Sequence, residues 1–344
     1  QDLAAAQAML RGVAQAQHQL NEAGGINGVL LKVVISDDGD NPEMAKKIAS
    51  ELGKNPEVLG IVGHYYSDMT LATGKIYEEK KLASISLSTS VKISDFSDYV
   101  FRTSPSDAFT ARALANYMLS EWGKKKAAIF YNSESAYSQS LKTEFVTTVY
   151  SKKGEVVAEF DWSDPNFPTQ QAFEQAIEQG AQVLMLAPST VDELKSKVLQ
   201  VIRLNNKDQL KLMGGDVAYS HEILASDVVG MVVGVFWHID AATGSQFSRQ
   251  SKQLWGADVN WITAMAYDAT QAWIEALKQH PKPTRTKLQQ TLSDSDFSAP
   301  GASETVRFIQ TGDRNISVQL VKVIQDANSE VGYSFKPILT EEEE

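Results

Sequence analysis

Short apolar runs alternate with amphipathic helical patterns along most of this chain, and no other feature constrains its fold as strongly. The apolar runs predict strands at 30–36, 58–62, 82–86, 98–102, 126–131, 155–160, 182–187 and 210–213, with later ones at 305–309 and 318–324. The helical patterns lie at 3–23, 43–53, 68–80, 107–122, 138–152, 169–179, 190–204, 245–254, 261–279 and 284–293. Short apolar strands separated by helices pack as parallel sheets that are covered on both faces.

The alternation restarts near residue 126, which indicates two sheets rather than one. With 344 residues the chain is also longer than a single hydrophobic core requires. The predicted fold class is therefore α/β, with two doubly wound parallel-sheet lobes.

Composition excludes several classes of function. The net charge of −11 argues against a nucleic-acid partner or an anionic membrane surface. The chain has no cysteine, which removes disulfides, thiolate metal sites and cysteine nucleophiles and suits an exported protein. No signal peptide is visible, so an exported protein would be present here in a processed form.

Polar side chains follow the predicted strands, where open parallel sheets bind their ligands. The candidate ligand-binding residues at these strand ends are Ser67, Ser88, Thr89, Ser90, Tyr137, Ser189 and Asp216. The start of a helix at Ser67 can bind a carboxylate, and Asp216 can accept charge-assisted hydrogen bonds from an ammonium group. Tyr137 can cover the cation with its ring. The set suits a small zwitterion.

Ordinary structural roles compete with these assignments. Ser67 could be a helix N-cap, and Asp216 after two glycines could be a turn residue. Ser189-Thr190 fits a capping box with Glu193. Three aromatic residues are possible walls of a cleft or simple packing residues: Tyr65, Tyr66 and Trp237.

Several segments in order resemble one family, the type I periplasmic binding proteins of the branched-chain amino acid (Leu/Ile/Val) group, which deliver substrates to ABC transporters. The resemblance begins with Gly12 to Gly28, including Asn21 and Gly24-Gly25-Ile26, and continues with Asp37, Asp40, Pro42 and Ala45. The later segments are IVGHYYSDMT, ISLSTS, FRTSPSD, NSESAYSQS, GGD and AMAYDA.

The resemblance implies a role for each candidate residue. Ser67 would bind the ligand carboxylate, with backbone groups near Ser88 and Thr89 and the Ser90 hydroxyl beside it. Tyr137 would line the site, and Asp216 would receive the amino group, where close relatives carry glutamate. Leucine-type receptors have an aromatic residue at the position of Ser189, so a serine favours a ligand more polar than leucine.

The resemblance also implies a lobe organisation with a multi-stranded hinge. The lobes would comprise 1–104 with 239–317 and 105–238 with 318–340, followed by an acidic tail at 341–344. The chain would cross between them near 103–106, 238–240 and 316–318. The family opens with an apolar strand that precedes the first helix, and we expect this segment to be missing from the chain as given.

The predicted function is an extracytoplasmic solute-binding protein that captures an amino acid or similar polar metabolite in an interlobe cleft by hinge closure. It would act as a monomer with a membrane permease, without cofactor or metal. One alternative is the sensory module of a larger receptor. Another is a serine hydrolase that uses Ser67 with His64. The sequence does not distinguish among amino acid, amide, urea and aromatic-acid ligands. Metal and nucleotide motifs such as HExxH, the P-loop and GxGxxG are absent from the sequence.

Overall fold

A computed structural model describes residues 2–206 and 208–338. The chain divides into two compact units. Unit 1 comprises Gln1–Ser106 and Trp237–Ile316, and unit 2 comprises Asp107–Phe236 and Ser317–Glu344. The predicted acidic tail at 341–344 lies outside the described residues.

The helices follow the amphipathic patterns of the sequence closely. In chain order they are α1 (Leu3–Glu22), α2 (Pro42–Lys54), α3 (Ser67–Glu79), α4 (Asp107–Ser120), α5 (Ala136–Ser151), α6 (Thr169–Glu178), α7 (Val191–Glu193), α8 (Leu199–Leu204), α9 (His221–Leu224), α10 (Gln246–Trp255), α11 (Trp261–Lys278) and α12 (Arg285–Leu292). A π-helical turn, Leu194–Val198, joins α7 to α8.

The three strands of unit 1 are shorter than the apolar runs that predicted them, whereas the predicted strands of unit 2 have about the predicted length. In chain order they are β1 (Ile61–Val62), β2 (Ser84–Ser86), β3 (Val100–Arg102), β4 (Lys126–Tyr131), β5 (Glu155–Asp161), β6 (Val183–Ala187), β7 (Lys211–Gly214), β8 (Val232–Val235), β9 (Gln319–Gln325) and β10 (Tyr333–Pro337).

Unit 1 is built on a parallel sheet in the order β1-β2-β3. Its core joins Ile85 and Phe101 of the sheet to Trp273 of α11. Helix α11 is apolar on almost every side, as expected of a helix enclosed by its own domain. Helix α1 packs closely on it: a Cβ atom on Gly12 would lie only 2.2 Å from the carbonyl oxygen of Thr263. The glycine therefore permits this helix contact.

Unit 2 is built on a seven-stranded sheet in the order β10-β9-β8-β7-β6-β4-β5. Strands β4 to β8 are parallel, whereas β9 pairs antiparallel with both β8 and β10. Ile129, Met185 and Met213 of adjacent strands pack with Leu141 and Phe145 of α5. The alternation of strands and helices thus forms parallel sheets in both units, and the predicted α/β class is confirmed.

Two predicted strands are wrong. Residues 30–36 run without β pairing, and Val34 and Ile35 are 65% and 71% exposed. The backbone N–H and C=O of Leu31 instead bond the side-chain amide of Asn21, at 2.8 and 3.0 Å. Residues 305–309 form only isolated bridges, such as Phe308 with Arg314. An apolar run becomes a strand only where a neighbouring backbone can pair with it.

Two strands are not among those predicted. Strand β8 lies within an apolar run at 228–237 and is fully buried. Strand β10 has a polar, mostly half-buried sequence, YSFKP, and its apolar content alone does not predict a strand. It forms because it pairs in register with β9, from Tyr333 opposite Gln325 to Pro337 opposite Val321.

Candidate functional site

The predicted site residues fall into two sets, one in each unit, and each set lies where parallel strands end. The first set, here called the hydroxyl set of unit 1, consists of four buried residues: Ser67, Ser88, Thr89 and Ser90. The second, the acidic set of unit 2, consists of three buried residues: Tyr137, Ser189 and Asp216.

Ser67 is not the N-cap that its sequence context allowed. The cap position of α3 is Tyr66, which makes no side-chain capping bond, and Ser67 is the first residue of the helix. The Ser67 hydroxyl oxygen instead accepts a hydrogen bond from the backbone N–H of Ser90, at 3.2 Å. The side chain therefore joins the turn after β1 to the turn after β2 at the positive end of a helix dipole.

Further hydroxyl contacts tie the same two turns together. Ser88 and Thr70 share a hydrogen bond of 2.5 Å between their hydroxyl oxygens. The Ser88 hydroxyl also donates to the carbonyl of His64, at 3.3 Å, and the backbone N–H of Leu87 donates to the same carbonyl. Thr89 is 3% exposed between these residues. Thr70 therefore belongs to the hydroxyl set, although it was not among the predicted site residues.

A buried arginine holds the backbone of the hydroxyl set in place. Arg102, at the end of β3, is fully buried and donates to the carboxylate of Asp313 at 2.6 Å. It also donates to the carbonyl of Ser90 at 2.9 Å and to the hydroxyl of Ser94 at 2.7 Å. The guanidinium thus fixes the backbone that carries Ser88, Thr89 and Ser90. Arg102 lies in the FRTSPSD segment, but its role could not be predicted from that segment alone.

His64 is engaged by residues other than Ser67. Its Nδ1 lies 2.5 Å from Oδ2 of Asp38, and its Nε2 lies 3.1 Å from the hydroxyl of Tyr77. Burial opposes the ionised form of Asp38, but its hydrogen bond to His64 and the charge of that ring lower its pKa overall. Burial raises the pKa of Tyr77. Both ring nitrogens serve a buried structural contact, which removes the geometric basis for a Ser67–His64 nucleophile pair.

The three candidate aromatic residues make ring contacts within unit 1. Tyr65 lies edge-on to Tyr66 at 4.8 Å and near the ring of Trp261 at 6.0 Å. Trp237 is 4% exposed and packs edge-on against Phe247 at 5.5 Å. A role for these rings in lining a ligand site stays a prediction.

In unit 2 the beginning of α5 is attached directly to the ends of β4 and β6. The Ser138 hydroxyl accepts from the N–H of Asn132 at 2.8 Å and donates to the carbonyl of Ala187 at 2.6 Å. Tyr137, one residue earlier, reaches the end of β7. A Cβ atom on Gly215 would lie 2.3 Å from the Tyr137 hydroxyl oxygen, so glycine permits this approach.

Asp216 is a buried acid with little compensation for its charge. Desolvation raises its pKa to about 7, although a hydrogen bond from Tyr137 favours the ionised form. Its Oδ1 atom has no hydrogen-bond partner among residues 2–206 and 208–338. A buried carboxylate oxygen without a donor is costly, which makes Asp216 the best candidate in unit 2 for a contact with a cationic ligand group.

Ser189 is bound to a second acid that the sequence placed only in a helix cap. The Oε2 atom of Glu193 accepts from the Ser189 N–H at 2.6 Å and from the Ser189 hydroxyl at 2.9 Å. The amide of Asn132 donates to the other oxygen of Glu193 and, at 3.3 Å, to the Ser189 hydroxyl. Thr190 is the N-cap, as the capping-box pattern predicts, but the Glu193 carboxylate bonds one residue earlier than in that motif.

The described residues contain no cluster of three or more His, Cys, Asp or Glu side chains that could hold a metal ion. Over the same ranges, no helix combines the length and hydrophobicity needed to cross a bilayer.

Comparison with known proteins gives a family and related sequences. A family model described as periplasmic binding protein matches residues 3–328. An amino acid binding protein of Pseudomonas aeruginosa is 29% identical over 133 residues, which is 38% of this chain and 35% of that protein. The leucine-, isoleucine-, valine-, threonine-, and alanine-binding protein of the same species is 30% identical over 140 residues, which is 40% of this chain and 37% of that protein. The matched region thus spans little more than a third of either relative.

Solved structures share the fold over nearly the whole chain. A leucine-binding protein from Thermotoga maritima has a TM-score of 0.85 at 20% identity, and the match covers 99% of this chain and 96% of that one. A substrate-binding protein from Desulfitobacterium hafniense in complex with Leu has a TM-score of 0.79 at 23% identity, with 95% of each chain covered. These likenesses confirm the predicted fold. The chain belongs to the periplasmic binding protein family, which confirms the family resemblance seen in the sequence.

Proposed function

We propose that this protein is the extracytoplasmic solute-binding component of an ABC transporter and that it captures an amino acid or a related small polar metabolite for a membrane permease. The observation that carries this proposal is Asp216, whose buried carboxylate has one oxygen without a partner among the described residues. A ligand ammonium group supplies both the missing N–H donors and the opposite charge.

The hydroxyl set of unit 1 suits the carboxylate end of such a ligand. Ser67 opens a helix of 13 residues, and the positive end of a helix favours a carboxylate. The hydroxyls of Ser88 and Ser90 lie on the adjacent turn, with Thr89 between them. A zwitterion matches this chemistry better than a neutral or purely cationic ligand does.

In this proposal one ligand contacts both the hydroxyl set and the acidic set, and its binding is coupled to hinge closure of a monomeric receptor. Contacts that form only in the closed state are what allow a ligand to stabilise that state. The P. aeruginosa relatives are named for amino acid binding, which supports the ligand class.

A thermal-shift screen against the twenty amino acids, amides, ureas and aromatic acids tests the proposal. A ligand present at 100 times its dissociation constant stabilises the folded state by about 2.7 kcal/mol. Calorimetry with the best ligand should then show that Asp216→Ala weakens binding by about 10–100-fold, the scale of one charge-assisted hydrogen bond.

The matched control is Glu178→Ala, which removes an exposed acid at the end of α6 in the same unit. It should leave the dissociation constant unchanged. Equal affinity for an amine-bearing ligand in the wild type and in Asp216→Ala would reject the assignment of Asp216.

Binding without turnover is the second part of the proposal. Incubation with the best ligand and with amino-acid amides, followed by mass spectrometry, should recover each compound intact. Hydrolysis by the wild type that is abolished in Ser67→Ala would instead favour an enzyme.

A further inference from the structure

We infer that the ligand's side chain ends in a hydrogen-bond donor, such as an amide, hydroxyl or urea N–H, and that Ser189, Glu193 and Asn132 recognise it. The inference rests on the proposed function, because it places the ligand at the strand ends that carry Asp216. It adds a specificity determinant on the neighbouring strand of the same sheet.

The orientation of Asn132 is fixed by its own hydrogen bonds. Its Oδ1 atom accepts from the backbone N–H of Glu134 at 2.8 Å, so the NH₂ end of the amide faces Ser189 and Glu193. The Glu193 carboxylate accepts from Asn132 on one oxygen and from Ser189 on the other. All three side chains are consequently held in one arrangement.

This arrangement determines what Ser189 can still offer. A hydroxyl has one hydrogen and two lone pairs, and a carboxylate can only accept. The Ser189 hydrogen is therefore directed at Glu193, at 2.9 Å, and one lone pair accepts from Asn132, at 3.3 Å. The remaining lone pair can accept a hydrogen bond but cannot donate one. A ligand group at this point must be a donor.

The position of the cluster brings it close to the proposed ammonium site. Ser189 follows β6 and Asp216 follows β7, and these strands pair in parallel with Leu186 opposite Gly214. Ser189 is 7% exposed and Asp216 is 5% exposed, so the two side chains are enclosed to a similar degree. The unpartnered Oδ1 atom of Asp216 is an independent sign that a ligand reaches this edge of the sheet.

An aliphatic side chain would gain little here and would cost hydrogen bonding. It would cover the free lone pair of Ser189 and desolvate the nearby Glu193 carboxylate without supplying a donor. Sites built to bind a polar group discriminate strongly against the analogue that lacks it.

Amino acids of matched shape test the inference by calorimetry. The pairs are asparagine with leucine, threonine with valine, and glutamine with methionine. The wild type should bind the donor-bearing member of at least one pair about tenfold or more tightly than its apolar partner. Ser189→Ala should weaken binding of the preferred ligand by about tenfold and change the affinity for its apolar partner by less than about twofold.

Ser226→Ala is the control, since it removes a half-buried hydroxyl of unit 2 that donates to the carbonyl of Ile223. It should leave both affinities unchanged. Tightest binding of leucine, valine, methionine or another apolar amino acid would overturn the inference and leave the proposed function standing. A protein that binds no amino acid, amide or urea would overturn both.

Discussion

The backbone N–H of Ser90 donates a hydrogen bond of 3.2 Å to the hydroxyl oxygen of Ser67, and this bond joins the turns that follow two neighbouring strands. Since Ser67 is 2% exposed and Ser90 is fully buried, the bond is protected from water. One hydroxyl therefore serves both the internal order of unit 1 and the proposed carboxylate contact.

Replacing Ser67 by alanine should affect stability and binding together. The buried N–H of Ser90 would lose its acceptor, which costs about 1–3 kcal/mol in the free energy of unfolding. The dissociation constant of a carboxylate ligand should rise about tenfold. Denaturant unfolding and calorimetry measure the two effects. Ser50→Ala is the control, because that hydroxyl donates only to the carbonyl of Lys46 within α2. Unchanged affinity in Ser67→Ala would remove Ser67 from the proposed site.

The buried arginine below this turn gives a second prediction. Arg102→Lys cannot reproduce the three contacts to Asp313, Ser90 and Ser94. We expect a loss of about 1–3 kcal/mol in unfolding free energy, because lysine keeps the charge but leaves at least one of these buried acceptors without its donor. Ligand affinity should also fall, since the carbonyl of Ser90 would lose its anchor.

A surface pair provides the comparison for Arg102. Lys46→Ala removes the exposed pair with Glu43, at 2.7 Å, and should cost less than about 1 kcal/mol. If denaturant unfolding gave Arg102→Lys as small a loss in unfolding free energy as Lys46→Ala, the buried network would not hold the turn.

The raised pKa of Asp216 gives a prediction of pH dependence. Its pKa is about 7 in the folded chain against an ordinary value of 3.8, so between these values the folded state binds a proton that the unfolded state has released. Stability should therefore fall as pH rises from about 4 to about 7, by up to about 1.4 kcal/mol per pH unit, and should level off above that. Asp216→Asn should lack this contribution.

The measurement is the difference in unfolding free energy between wild type and Asp216→Asn across that pH range. All other titrating groups are common to the two proteins and cancel in the difference. A difference that stays flat from pH 4 to pH 8 would show that the carboxyl is not buried as the structure has it. With an amine-bearing ligand, calorimetry at pH 6 should also detect proton release on binding, because the ligand ammonium favours ionised Asp216.

Local patterns in the sequence predicted the helices and the strand ends, whereas long-range pairing decided the rest. The strand at 126–131 was predicted because a buried strand and its flanking helices have distinct periodicities. Residues 30–36 show the same apolar content but have no neighbouring backbone that pairs with them. The contact between His64 and Asp38 joins positions 26 residues apart, and no short motif encodes it.

The same limit applies to the candidate site. Ser189 and Asp216 could be found because they follow apolar runs. Glu193 matched a capping box, but its carboxylate bonds Ser189 and also Asn132, which lies 61 residues earlier. Such contacts arise only once neighbouring strands have placed their ends together.

The approach of Tyr137 to the backbone of unit 2 gives a final prediction. A Cβ atom on Gly215 would lie 2.3 Å from the Tyr137 hydroxyl oxygen and 2.5 Å from Cδ2 of Leu141, both far inside contact distance. Gly215→Ala should displace the tyrosine and weaken ligand binding by about tenfold or more, with a stability loss of about 1–3 kcal/mol from overpacking. Tyr137→Phe added to Gly215→Ala should recover part of the stability, because it removes the nearest clashing atom, while affinity stays low. Gly244→Ala is the control, since its Cβ would meet no heavy atom within 4 Å. Wild-type affinity in Gly215→Ala would contradict a role for Tyr137 at the ligand.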